Sequence, residues 1–162
     1  MKIVKVITLL MFVSTLTWAQ KPVKYQVLFG NKALPQKDKL ELDQFISSCD
    51  ASFASRKEAA NFFAERAWEF VALGKLDTAT YRFNLVNALD TSSIDAFWGL
   101  GVITFQRKDY PLAKQLLAKG LISDPTQALM RVDYAIVLLS CYLDGKDCGT
   151  LAEADAELAQ SL

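Results

Sequence analysis

The stretch that most constrains this chain is residues 94–125, where two runs of helical periodicity meet at a polar turn. In the first run Phe97, Leu100, Gly101 and Thr104 fall at i, i+3, i+4 and i+7, so they share one face of a helix. In the second run Leu112, Ala113, Leu116, Leu117 and Gly120 do the same, and Arg107-Lys108-Asp109 lies between the two. Gly101, Ala113 and Gly120 are small enough to let two antiparallel helices approach closely, with Phe97, Leu100 and Leu117 filling the sides. The pattern is that of a helical hairpin with a built-in contact point.

This arrangement resembles a tetratricopeptide repeat, whose motif runs aromatic-x2-Leu-Gly-x2-Tyr, then Ala-x3-Phe, then Pro. The matching positions are Phe97, Leu100, Gly101, Thr104, Ala113, Leu117 and Pro125. Phe97 stands for Trp and Leu117 for Phe, and Thr104 is a larger departure from Tyr. A shift by the family's period of about 34 residues places Phe63, Ala67, Ala79, Phe83 and Asp90 on the same positions upstream. The downstream shift reaches Arg131, Tyr134, Ala135 and Leu138, where the small residue is kept and the aromatic is lost. The second helix of that copy leaves register because residues 143–149 lengthen the turn. The resemblance covers residues 60–162 and implies an all-α fold: a right-handed solenoid of about three antiparallel helix hairpins with a leading helix.

Punctuation residues divide the chain into seven expected helices. Residues 38–53 form the leading helix, with Leu40, Leu42, Phe45, Ile46 and Cys49 apolar. Ser55 and Glu58 make a capping box for a helix that Gly74 ends in a left-handed stop. Asp77, Ser92 with Asp95, and Asp109 are the expected caps of the next three, with Pro111 tolerated in a first turn. A sixth helix spans residues 126–143. Thr150 and Glu153 form a second capping box, opening a last helix with a weak apolar face of Leu151, Ala154, Leu158 and Leu162. Its Glu153, Asp155 and Glu157 give it the polar outer surface that a terminal repeat needs.

Residues 1–19 have the form of a secretory signal: Lys2 and Lys5, an apolar run over residues 6–16, then Thr17-Trp18-Ala19 before Gln20. The run is shorter than the roughly 20 apolar residues that span a bilayer. Cleavage after Ala19 leaves 143 of the 162 residues and takes two lysines and no acid. The 18 basic and 18 acidic side chains then become 16 and 18, a net charge of −2. Such a chain lacks the basic stripe of a nucleic-acid binder. Residues 20–37 form an extended N-terminal segment before the helical domain of residues 38–162. In it Val23, Tyr25, Val27 and Phe29 alternate with Pro22, Lys24, Gln26 and Leu28, the period of an extended strand.

The chain has no histidine, which removes the commonest general base and metal ligand. No phosphate-cradling glycine loop appears, and three cysteines without histidine make a poor zinc site. Glu65 and Glu69 share a helix face, a pattern that fits a solvated surface better than a catalytic pair. The expectation is a protein without enzymatic activity, cofactor or metal.

In the tetratricopeptide family the first helix of each hairpin lines a concave surface. The resemblance therefore implies a groove made of Asn61, Ala64, Trp68 and Val71, then Asp95, Trp98, Val102 and Phe105, then Leu129, Val132, Ile136 and Leu139. The set is aromatic and aliphatic, unlike the Lys and Asn clamp by which family members hold a terminal carboxylate. Two functions follow from it: an exported scaffold that binds a protein or peptide, or a structural subunit of an envelope assembly that self-associates through the same stripes. The two tryptophans have two readings, as an exposed groove surface covered by the Val23–Phe29 strand or as packing between helices. Cys141 and Cys148 flank the last turn, and in an oxidising compartment they are expected to pair while Cys49 stays a buried thiol.

Overall fold

The computed structural model describes residues 21–161, and among them the secondary structure is wholly helical. The signal-like residues 1–19 lie outside the described residues. Seven α-helices follow two short 3-10 turns: α1 (Gln36–Ser52), α2 (Arg56–Ala72), α3 (Leu76–Leu89), α4 (Ile94–Gln106), α5 (Tyr110–Ser123), α6 (Ala128–Leu143) and α7 (Leu151–Ala159). Three hairpins, α2 with α3, α4 with α5 and α6 with α7, stack in chain order through α3 on α4 and α5 on α6. Among the described residues the main contacts between hairpins join sequence neighbours, the arrangement of an all-α helical-repeat solenoid.

The repeat is legible in the backbone as well as in the side chains. The first helix of every hairpin ends in the same motif, with a left-handed residue at Gly74 (φ +67), Lys108 (φ +63) and Gly145 (φ +66). At each end the left-handed residue's N–H reaches back three residues and the next N–H reaches back five: Lys75 to Phe70, Asp109 to Thr104, Lys146 to Cys141. This satisfies carbonyls that a helix end leaves orphaned. Between hairpins, Asp90 accepts from the Ser92 backbone N–H at 2.9 Å, and Asp124 accepts from that of Thr126 at 2.9 Å. The two aspartates are one repeat apart and make the same turn.

The core runs the length of the stack. Cys49, Ala59, Ala60, Ala64, Val86, Leu89 and Ala96 join α1 to the first hairpin. Phe83, Phe97, Leu100, Ile103 and Leu116 fill the middle. Ala113, Leu117, Leu121, Met130 and Val137 bind the second hairpin to the third. The periodic face of residues 94–125 is thus the packed one. Thr104 is buried and donates its hydroxyl to the Leu100 carbonyl at 2.6 Å. Gly101 lies under Leu117, whose Cγ would sit 2.8 Å from a Cβ there. A closer approach occurs at Gly99, where any Cβ would run into the Phe83 ring.

Three local expectations are corrected. Asp77 is not a cap: α3 begins after Lys75 without a side-chain cap, and Asp77 instead accepts from Lys21 at 2.5 Å and Arg107 at 2.6 Å. Ser93, not Ser92, caps α4, because Ser92 is engaged in the Asp90 turn. The N-terminal segment is not a strand. It makes 3-10 turns over Val23–Tyr25 and Val27–Asn31, the second left-handed at Leu28, Phe29, Gly30 and Asn31.

The physical reason is Asn84, fully buried in α3. Its amide donates to the carbonyls of Lys24 (3.2 Å) and Gln26 (2.7 Å) and accepts from the Leu28 N–H (2.8 Å). One side chain thereby winds the segment around itself, and the apparent alternation of Val23, Tyr25, Val27 and Phe29 does not describe two faces.

Candidate interaction groove

The first helices α2, α4 and α6 lie side by side, α4 touching both of the others. Along this side each expected groove residue has a definite place. Asn61 is exposed at the start of α2, and Ala64 is buried in the core beneath α1. Trp68 is half-buried, edge-on to Phe83 (centroids 5.2 Å apart) and to Trp98 (5.4 Å). Its indole N–H donates to Asp95 Oδ1 at 3.1 Å. Trp98 repeats the device one hairpin on, donating to Asp133 Oδ2 at 2.6 Å. Each tryptophan therefore ties its helix to the next first helix, α2 to α4 and α4 to α6. Both indoles are half-buried and packed between helices, Trp68 with Val71 against the middle core and Trp98 against the core of the second and third hairpins.

The N-terminal segment does not cover them from the groove side. It docks on α3, the second helix of the first hairpin, with Tyr25 edge-on to Tyr81 at 6.1 Å and Lys21 on Asp77.

The groove thus divides into two halves. The half made by α2 is consumed by packing. The half between α4 and α6 stays open, as a recess of about 180 Å³ lined by Val102, Phe105, Gln106, Asp133, Ile136 and Val137. From its rim an apolar stripe continues along α6: Leu129 is 72% exposed, Ile136 42% and Leu139 38%, with Val132 half-buried beside them. These residues share a face because they recur at i, i+3, i+7 and i+10.

Sequence reasoning missed Asp133, Gln106 and Val137. Asp133 was within reach, since it lies one turn from Leu129 and Ile136 on the same helix. Gln106 and Val137 depend on where α6 settles against α4, which no local pattern states. Asp95 and Asp133 each use one oxygen on a tryptophan, and among the described residues neither is in an ion pair. No Lys or Arg lines the recess.

Cys141 and Cys148 are bridged across the turn that ends α6, their Cα atoms 5.7 Å apart, within the usual disulfide range. Cys49 is a buried free thiol whose pKa is pushed up by that burial. Glu65 and Glu69 are both exposed on α2. No described helix is long and apolar enough to cross a membrane. No protein-family model matches the chain, and no curated protein matches it.

Proposed function

We propose that this chain is a tetratricopeptide-like scaffold that works outside the cytoplasm and holds a protein or peptide in the open half of its groove. The observation that carries this reading is the recess between α4 and α6 running into the exposed Leu129–Ile136–Leu139 stripe. Aliphatic side chains grouped this way on a soluble surface often serve association, and a groove between helices receives side-chain anchors without rearranging. The signal-like residues 1–19 and the bridged Cys141–Cys148 pair support an oxidising compartment.

The experiment is an affinity capture from the native compartment, comparing the wild-type chain with a Val102→Asp/Ile136→Asp variant by quantitative mass spectrometry. Loss of the same partner from the variant, with an unchanged helical spectrum, supports the reading. A partner set indifferent to both substitutions refutes it.

Self-association through the same surface is the second reading. It is favoured by the last hairpin, whose α7 was expected to be polar outside yet leaves Leu151 and Leu158 exposed. Light scattering on the purified chain separates the two, since a monodisperse monomer excludes the self-associating subunit.

A further inference from the structure

We infer that the segment held in this groove places a Lys or Arg side chain directly beside a bulky aliphatic one, an inference that rests on the groove being the binding surface. The recess has apolar walls at Val102, Phe105, Ile136 and Val137, and room for one branched aliphatic side chain. Its polar wall is Asp133, half-buried, with one carboxylate oxygen engaged by the Trp98 indole. The other oxygen has no hydrogen-bond donor or cation among the described residues. Asp95 on α4 likewise gives one oxygen to an indole, that of Trp68, and its other oxygen has no partner among the described residues.

The fold does not require charge at either position. An indole N–H needs one acceptor, which an amide or hydroxyl oxygen can also supply, without the charge assistance of a carboxylate. Some carboxylates elsewhere are paired, as Asp50 with Arg56, Asp77 with Lys21 and Arg107, and Glu157 with Arg131, and others, such as Glu65 and Glu69, are exposed to solvent. Asp95 and Asp133 differ in being half-buried on the groove side, each with one oxygen on an indole and no ion pair among the described residues. Beside apolar walls their field is screened less than in open water, so they attract a cation and repel an acidic segment. The Trp98 and Phe105 rings add a favourable surface for the same cation. An acidic tail or a free terminal carboxylate finds no cation in the recess, only the neutral Gln106 amide as a donor beside the Asp133 charge.

The test begins with short random peptides displayed on phage, selected on the purified chain. The recovered sequences are then made as fluorescein-labelled peptides and measured by anisotropy at low and high salt. The variants are Asp133→Asn, which keeps the acceptor for Trp98, and Ile136→Asp. Expected are sequences with Lys or Arg next to Leu, Ile or Phe, and binding that salt weakens. Asp133→Asn should weaken binding roughly tenfold and flatten its salt dependence, as loss of a charge pair does, with melting unchanged.

Peptides that lack basic residues but are lost on Ile136→Asp would overturn the charge inference and leave the groove standing. Peptides indifferent to Ile136→Asp would overturn both. A second copy of the chain that competes with the peptides, seen as a dimer by light scattering, would overturn the inference as well.

Discussion

Replacing Asn84 with Ala tests how the N-terminal segment is held. The Asn84 side chain is fully buried and makes three hydrogen bonds to the backbone of that segment. At a net 0.5–1.5 kcal/mol for each bond, their loss costs up to about 1.5–4.5 kcal/mol. The upper end holds only if the segment stays in place with its carbonyls dry. It has a reason to leave: Leu28, Phe29 and Asn31 sit at φ +48, +54 and +52, a conformation that costs a non-glycine residue about 1–2 kcal/mol. Without Asn84 the left-handed turn relaxes and residues 21–31 lift from α3.

The expected global loss, read by urea denaturation, is therefore about 1.5–3 kcal/mol. Amide exchange at Leu28 should accelerate by orders of magnitude, and trypsin should cut at Lys24. The decisive control is the same substitution in a chain lacking residues 21–31. There Asn84 has no backbone partners, and Asn84→Ala should cost less than about 0.5 kcal/mol. An equal cost in both backgrounds would refute the reasoning, because Asn84 would then be stabilising α3 itself.

Three further outcomes follow from the stack. Gly99→Ala should destabilise by about 1–3 kcal/mol in spite of alanine's better helix propensity, since its methyl meets the buried Phe83 ring; a neutral or stabilising result by thermal melting would contradict the close α3–α4 approach. Lys108→Gly should stabilise by about 0.5–1 kcal/mol, because lysine stands in the left-handed position that Gly74 and Gly145 fill elsewhere; a loss of stability on denaturation would contradict the shared helix end. The hydrogen bond from Lys21, and then the charges of Lys21 and Arg107, hold the Asp77 carboxyl below the usual carboxylate range. Its contribution is present above the unfolded-state pKa and is lost as pH falls through the lower folded-state value. Asp77→Asn should remove that acid dependence from the stability profile; an unchanged slope would contradict it.

The fold was legible where the chain repeats itself. Phe97 and Leu117, with Phe63 and Phe83 one period upstream of them, mark helices whose packed faces must coincide, and they do so in the core. Thr150 and Glu153 form the capping box expected of them. Local patterns failed where a distant side chain decides. The period-2 signal of Val23 to Phe29 assumes a neighbouring strand, and Asn84, more than fifty residues away, overrides it. Asp77 has the chemistry of a cap but is taken by Lys21 and Arg107.

For the groove, the face of each first helix was readable, but its depth was not. Whether Trp68 lies open or between helices depends on Asp95 accepting its N–H and on Phe83 behind it. Only α6, with no further hairpin beyond α7 among the described residues, keeps its stripe uncovered.

The central claim is that partners meet the chain on the α4–α6 side, and photo-crosslinking from two isoleucines tests it most directly. A photoreactive amino acid at Ile136 stands at the recess, while one at Ile122, 83% exposed on α5, stands on the second helix of the neighbouring hairpin. Illumination in the native compartment should give a discrete crosslinked species from position 136 that Val102→Asp abolishes, and none from position 122. The same species from both positions, or from position 122 alone, would contradict the claim.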